Sequence, residues 1–256
     1  MLKRTLFACC ALIIAFVSIA VAQNPSRTPS ETTRDFYRMM REKKYREAFA
    51  MSIYQPAMEG LTAQEFDDLR PDFDRMAQAI AEKLPAAIDV GGEQISGDHA
   101  TVFVKVLDAD GKEKVEPATL IKLGNAWVVG DKESLDLVKK SGKKFFFEAR
   151  ITAHHNDVQD MMTRISLAQV LYSQSHDGKF GNMAELIAAG TVPKDIEGIE
   201  TTGYRFQIHR AADGKSWFAT AEPAQYGRTG RLSFYLDARG VKNGDVGGTP
   251  LPVKSN

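Results

Sequence analysis

Cysteine is nearly missing from this chain: two in 256 residues, Cys9 and Cys10, both inside an N-terminal apolar run. If that run is removed on export, what remains has no disulfide, no thiol nucleophile and no cysteine-type zinc site, even in an oxidising compartment. Net charge is missing too, with 33 basic residues against 33 acidic ones. Nothing therefore draws the chain to a polyanion, which excludes nucleic acid and an anionic membrane surface as default partners. Motifs that carry chemistry are also absent. There is no GxSxG elbow, and Ser175-His176-Asp177 are consecutive, so they cannot take the geometry of nucleophile, base and orienting acid. No glycine-rich string ends in Lys-Ser/Thr, which excludes a phosphate loop. His154 and His155 are adjacent, about 100° apart on a helix, and cannot share one ion as an i, i+4 pair does. His176-Asp177-Gly178 lacks the alternating oxygens of a calcium loop and reads as a turn. No catalytic residue, metal ligand or cofactor is expected.

What is present is ordinary for a protein with a core: 43% hydrophobic and 26% charged residues, enough for one or two domains. Lys3 and Arg4 precede an uncharged run from Leu6 to Val21 that closes in Ala20-Val21-Ala22. That is the pattern of a cleaved signal peptide over residues 1–22, and it predicts export to the periplasm or the exterior with no membrane attachment after cleavage. An uncleaved anchor is the rival reading, the run being just short of a comfortable span.

Beyond a short polar tether, Ser30-Glu31-Thr32-Thr33 offers a cap to a helix carrying Phe36, Tyr37, Met39 and Met40. A second helix is predicted over Tyr45–Ile53, closed by Pro56 and Gly60. A third follows the Thr62/Glu65 capping box, with Phe66, Leu69, Phe73, Met76, Ile80 and Leu84 on one stripe and Pro71 expected to kink or divide it. After Pro85 the period becomes two. Strands are predicted at Ile88–Val90, Thr101–Leu107, Val115–Leu123 and Trp127–Val129, with turns at Gly91-Gly92, Asp110-Gly111 and Gly124-Asn125. Ser134–Lys140 can form a short helix, and the cluster Ser141-Gly142-Lys143-Lys144 is the predicted boundary between two domains, residues 30–140 and 145–246. The tail, residues 247–256, is expected to be loose.

From Phe145 to Tyr172 the chain reads as one long amphipathic helix, with Phe147, Ile151, Val158, Met161, Ile165, Ala168 and Tyr172 on one stripe and Arg150, Asp157, Asp160 and Arg164 off it. A glycine turn, a short helix over Met183–Ala189 that Asn182 starts and Gly190 ends, and strands follow. The fold class is therefore α+β: helices with a curved antiparallel sheet, then a long helix with a small antiparallel sheet.

Two resemblances attach to these halves. ARITAHHNDVQDMMTRISLAQVLYSQSHDGKFGNMAELIAAG, with GYRFQIHR and TGRLSFYLDARGV after it, resembles the globular part of type IV pilins and type II secretion pseudopilins. The apolar, filament-forming half of the pilin helix is missing here, since Glu148 and Arg150 follow Phe145–Phe147 at once. The resemblance therefore implies a pilin-like domain that does not polymerise, and a monomer or small oligomer. Some pseudopilins bind calcium near the end of their sheet, but no ligand pattern links Asp237 and Asp245 here. The first half, from FYRMMREKKYREAFAMS to GNAWVVGD, resembles by order of elements the nuclear-transport-factor-2-like fold. That likeness implies a cone whose mouth would be lined by Tyr37, Tyr45, Tyr54, Phe103 and Trp127, unless these aromatics are simply core.

The functional expectation is an exported, non-enzymatic binding or interaction protein of the cell envelope, its partner an unidentified envelope protein or small molecule. Phe145, Phe146 and Phe147 are either buried at the domain junction or form a partner patch. One alternative is a small-molecule-binding or lyase/isomerase-type first domain. Another is an accessory of a type II secretion or type IV pilus system, touching pseudopilins through the exposed end of the long helix.

Overall fold

A computed structural model describes residues 27–199 and 202–252. The expected signal peptide, its two cysteines and the last four residues of the tail lie outside the described residues. Among the described residues no helix is long and apolar enough to cross a membrane.

The first half begins with four helices, α1 (Pro29–Arg41), α2 (Tyr45–Ala50), α3 (Gln55–Glu59) and α4 (Ala63–Lys83). Capping boxes start α1 and α4: Thr28 with Glu31, and Thr62 with Glu65, each pair satisfying two backbone N–H groups that the first turn leaves free. The expected single second helix is two short ones, broken at Met51–Tyr54, where the backbone turns aside to bond the sheet through Ile53 N–H to the Val129 carbonyl, 2.9 Å. Pro71 does not divide α4, which runs unbroken for 21 residues. Both Pro71 and Asp67 are exposed, so the Asp67 carbonyl that loses its helical donor faces water.

Strands β1 (Val90–Ser96), β2 (His99–Leu107), β3 (Glu113–Leu123) and β4 (Ala126–Val129) form an antiparallel meander in chain order. Gly91 and Gly92 are not a turn but part of β1, at a bulge that shifts the register between Val90 and Gly92. One face of this sheet carries Ala100, Val102, Val104, Val106, Ala118 and Leu120, packed against Leu84, Ile80 and Tyr37 from the helices. On the other face Ile121 and Val128 meet Ile53 and Leu135, the latter from α5 (Lys132–Ser141), which is capped by Asp131.

The second half is α6 (Phe145–Gln174), α7 (Met183–Ala188) and a second antiparallel meander, β5 (Tyr204–Arg210), β6 (Trp217–Pro223), β7 (Leu232–Asp237) and β8 (Gly240–Asp245). The later turns of α6 bury Val158, Met162, Ile165 and Ala168 against Leu186, Tyr204, Phe206, Phe234 and Leu236. The α+β class is as the sequence implies.

Residues 142–144 are not a linker. Gly142–Lys144 is a 3-10 turn continuous with the helices on both sides, and it rests on α3: a side chain at Gly60 would put its first carbon 3.0 Å from Lys143 Cβ. The phenylalanines that follow enter the core of the first four helices. The Phe146 ring centroid lies 5.3 Å from Phe49, tilted, and 5.0 Å from Phe73, edge to face, while Phe145 meets Tyr54 at 5.4 Å. The packing boundary therefore falls within α6, after Phe147, and not at residues 141–144.

Candidate functional site: the junction of the two cores

Helix α6 enters one core at its start and another from Val158 onward, so residues 148–155 cross the gap between them. The sequence reading placed Arg150 off the buried stripe. Instead its side chain is only 7% exposed and lies against α4. Its Nε donates to Asp72 Oδ2 (2.7 Å), Nη1 to Asp68 Oδ1 (3.0 Å), and Nη2 to the Asp68 carbonyl. A guanidinium has no rotamer that reaches water once Phe147 and α4 close over it, and only carboxylates with fork geometry make its burial tolerable. Asp68 and Asp72 are four apart on α4, on the face turned to α6, which supplies that fork.

The loop from β6 to β7 completes the junction. Arg231 holds Glu148 through two bonds, 2.7 and 2.6 Å, which keeps the Glu148 carboxyl below its ordinary range, mainly by hydrogen bonding. Arg228 lies over the Phe147 ring, 4.2 Å from its centroid, and 3.7 Å from Asp68. Between these groups is a cleft of about 250 Å³, lined by Glu65, Lys143, Lys144, Phe147, Arg228 and Arg231 among others.

The two adjacent histidines also belong here. His154, buried, has Nδ1 2.8 Å from the Thr229 carbonyl; a carbonyl only accepts, so Nδ1 is the protonated nitrogen. His155 Nε2 takes the opposite role, accepting from the Arg231 N–H (3.1 Å) and the Leu232 N–H (3.3 Å). Burial pushes both imidazoles below their usual value, and for His155 the Arg231 charge adds to it. Among the described residues no group of three His, Cys, Asp or Glu side chains is placed to hold a metal. Gly203 (φ +67°) is required by this packing, because a side chain there would begin 2.6 Å from His154 Nδ1 and 2.8 Å from Thr229 Cβ.

The expected aromatic mouth is not assembled. Tyr45 is fully buried among the helices and donates its hydroxyl to Asp74. Tyr54 packs on Phe49 and Phe145, again in the helical core. Tyr37 and Trp127 are partly buried on the inner face of the first sheet. Phe103 alternates out of that face, between inward Val102 and Val104, and is exposed. Strand parity separates Phe103 from the others, and helix packing puts Tyr45 and Tyr54 in the helical core and Trp127 against the sheet, with Tyr37 wedged between helical core and sheet. The partner-patch option for Phe146 and Phe147 fails for a similar reason, since both are buried in the first core. A second depression, about 290 Å³, lies between α5 and the β2–β3 edge, lined by His99, Lys122, Lys132, Leu135, Asp136 and Lys139 among others.

Arg228 and Arg231 went unmarked in the sequence because nothing in one chain ties a loop at 225–231 to a helix at 148–155. The usable signal was Glu148 and Arg150 directly after three phenylalanines: charges beside a buried aromatic run must find partners.

No known family model and no curated protein matches the chain. A solved structure from Campylobacter jejuni, provisionally named an NTF2-like transpeptidase, is similar over 41% of this chain and 100% of its own, at 15% identity and a TM-score of 0.30. A likeness of that size carries no argument about fold or activity.

Proposed function

We propose that the chain is an exported, non-enzymatic interaction protein of the cell envelope, whose second, pilin-like half docks a partner and does not polymerise. The observation that carries this reading is the outward surface of α6. Leu167, Val170 and Leu171 are spaced i, i+3, i+4, so they share one face, and they are 60%, 48% and 47% exposed. Single exposed aliphatics are commonplace, but three together on a helix whose opposite face is fully packed form a docking feature. Burial of Phe145–Phe147 under α2–α4 supports the non-polymerising part, because the start of α6 is then occupied by this chain's own first core. Position on the far end of α6 also favours the accessory reading, in which a secretion or pilus component meets this helix.

The experiment is photo-crosslinking in the native envelope from a probe amino acid at Leu167, with one at Lys112 as control, together with light scattering of the purified protein from Gln23 to Asn256. A discrete adduct from position 167 alone and a concentration-independent mass support the proposal. Regular fibres, or equal crosslinking from both positions, overturn it.

A further inference from the structure

The later part of the loop, Thr229 to Leu232, is pinned to α6 by neighbouring histidines that use opposite chemistry. His154 donates to the Thr229 carbonyl, and a protonated imidazole donates from the same nitrogen just as well, so that bond survives acid. His155 accepts, through the lone pair of Nε2, from two successive backbone N–H groups. A proton on Nε2 consumes that lone pair and turns an acceptor into a donor facing two donors.

We propose that His155 is a proton-operated latch on Arg231 and Leu232: neutral, it holds them against α6, and protonated, it releases them. The step is simple in its balance, since one proton from solvent binds Nε2, the imidazole becomes a cation, and the Arg231 and Leu232 N–H groups lose their acceptor. Release loosens what the loop carries across the junction, the Arg231–Glu148 pair and Arg228 on Phe147 and Asp68. Acid therefore loosens Arg231 and Leu232 from α6, while the His154–Thr229 bond, the Arg150 fork and the buried phenylalanines of α6 still join the two cores.

The surroundings favour this outcome. The His155 ring sits edge-on to Tyr204 and Phe234, with centroids 6.3 and 6.2 Å away, so the ring cannot swing to keep the bonds. Arg231 from the loop and His154 from α6 both oppose a charge on it, while Asp245 from β8 favours one. Glu148 faces the same space but is engaged by Arg231. Around His154 the charged groups are Asp72 and Arg75 of α4 and Arg150 of α6. Of the remaining loop bonds, Thr229 N–H to the Gln225 carbonyl (2.9 Å) and Gly227 N–H to the Gly230 carbonyl (2.8 Å) are local and keep the loop's shape, while the Tyr226 hydroxyl donates to Asp245 of β8 (2.9 Å) and tethers the loop's start.

The sign follows from linkage. A base whose folded value is depressed contributes stability that is complete above its unfolded value, 6.5, and is lost as pH falls through the folded value. The latch thus opens below pH 6.5.

Amide hydrogen exchange of the protein from Gln23 to Asn256, read by mass spectrometry as protection factors corrected for the intrinsic pH dependence, tests this. Protection of the Arg231 and Leu232 amides should fall about tenfold or more between pH 7.5 and pH 5, the loss of two modest hydrogen bonds, while the β5 amides hold. His155→Gln supplies an acceptor oxygen that does not titrate and should abolish the change. Unchanged protection in the wild type, or the same fall in His155→Gln, overturns the latch. Should that variant fail to fold, nitrogen-15 NMR of the wild-type imidazoles decides: a neutral His155 bearing its proton on Nδ1, titrating in step with loop exchange, supports the proposal, and a proton on Nε2 overturns it.

Discussion

In its first three turns α6 buries a guanidinium, Arg150, with side-chain exposure of 7%, whereas in its last three turns it leaves Leu167, Val170 and Leu171 about half in water. Polarity is inverted at both ends of one helix. At the start, three phenylalanines drive α6 into the helical core, and Arg150 follows because it lies one turn from Phe146 and Phe147. The cost of burying its charge is met by Asp68 and Asp72, already on the facing side of α4. At the far end a single sheet covers α6, so only one stripe of a helix that is apolar on two sides finds a partner. The difference teaches that burial along α6 follows which neighbour is available, not the polarity of the residue.

The largest test of that contrast is Phe146→Ala. Its ring touches Phe49, Tyr54, Phe73 and Phe145, and removing it should destabilise the protein by about 3–5 kcal/mol in urea unfolding. A loss below about 1 kcal/mol would mean that the aromatic run does not fix the start of α6. Next in size is Arg150→Ala, which takes from Asp68 and Asp72 their buried partner and leaves them only the exposed Arg228 and Arg75. A fully buried pair broken this way costs about 3–5 kcal/mol, and since Asp68 is 40% exposed, about 2–3 kcal/mol is expected. Arg150→Lys should recover only part, because an ammonium cannot reproduce the fork. Full recovery by lysine would show that charge alone holds the junction.

Smaller effects are expected where the loop from β6 to β7 meets α6. Gly203→Ala combines a positive φ with a side chain beginning 2.6 Å from His154 Nδ1, and should cost about 2 kcal/mol while weakening protection at Thr229. The Glu148–Arg231 pair is over 40% exposed on both sides, so its contribution is under about 1 kcal/mol. The Glu148 carboxyl is depressed in the fold from 4.5. Its contribution is therefore complete above that value and lost as pH falls through the folded one. Glu148→Gln should flatten the acid limb of the melting curve below pH 4.5 and leave the limb between 5 and 6.5 untouched.

Much of this was legible in the sequence. The capping box at Thr62/Glu65 marked the start of α4 correctly, because capping is read from residues three apart, and Asn182 marked the start of α7. The strands were legible from β-branched Val102, Val104 and Val106 at every second position. Pro71 misled because a proline on the wet face of a helix leaves its orphaned carbonyl to water, and sequence does not say which face is wet. The five-aromatic mouth misled because parity and packing, not residue type, decide which side an aromatic faces. The junction was half legible: Phe145–Phe147 announced burial, but their partners lie 73 to 97 positions earlier, as in Phe146 on Phe73 and on Phe49, and no local pattern connects them.

The smallest expected effect on stability falls at the other end of α6. Leu171 is 47% exposed and lies outside the second core. Leu171→Glu removes little burial and introduces a solvated charge, so folding stability should stay within about 0.5 kcal/mol of wild type. Should Leu167, Val170 and Leu171 form a docking face, the same substitution must abolish the adduct from a probe at position 167, because an unpaired carboxylate in an apolar interface costs far more than it does in water. Melting temperature and crosslinking yield, read on one preparation, separate the cases. An unchanged melt with lost adduct assigns the face to partner contact. A melt lowered by several degrees shows that Leu171 is already covered in the folded chain, and then the inversion of polarity along α6 holds only for its first half.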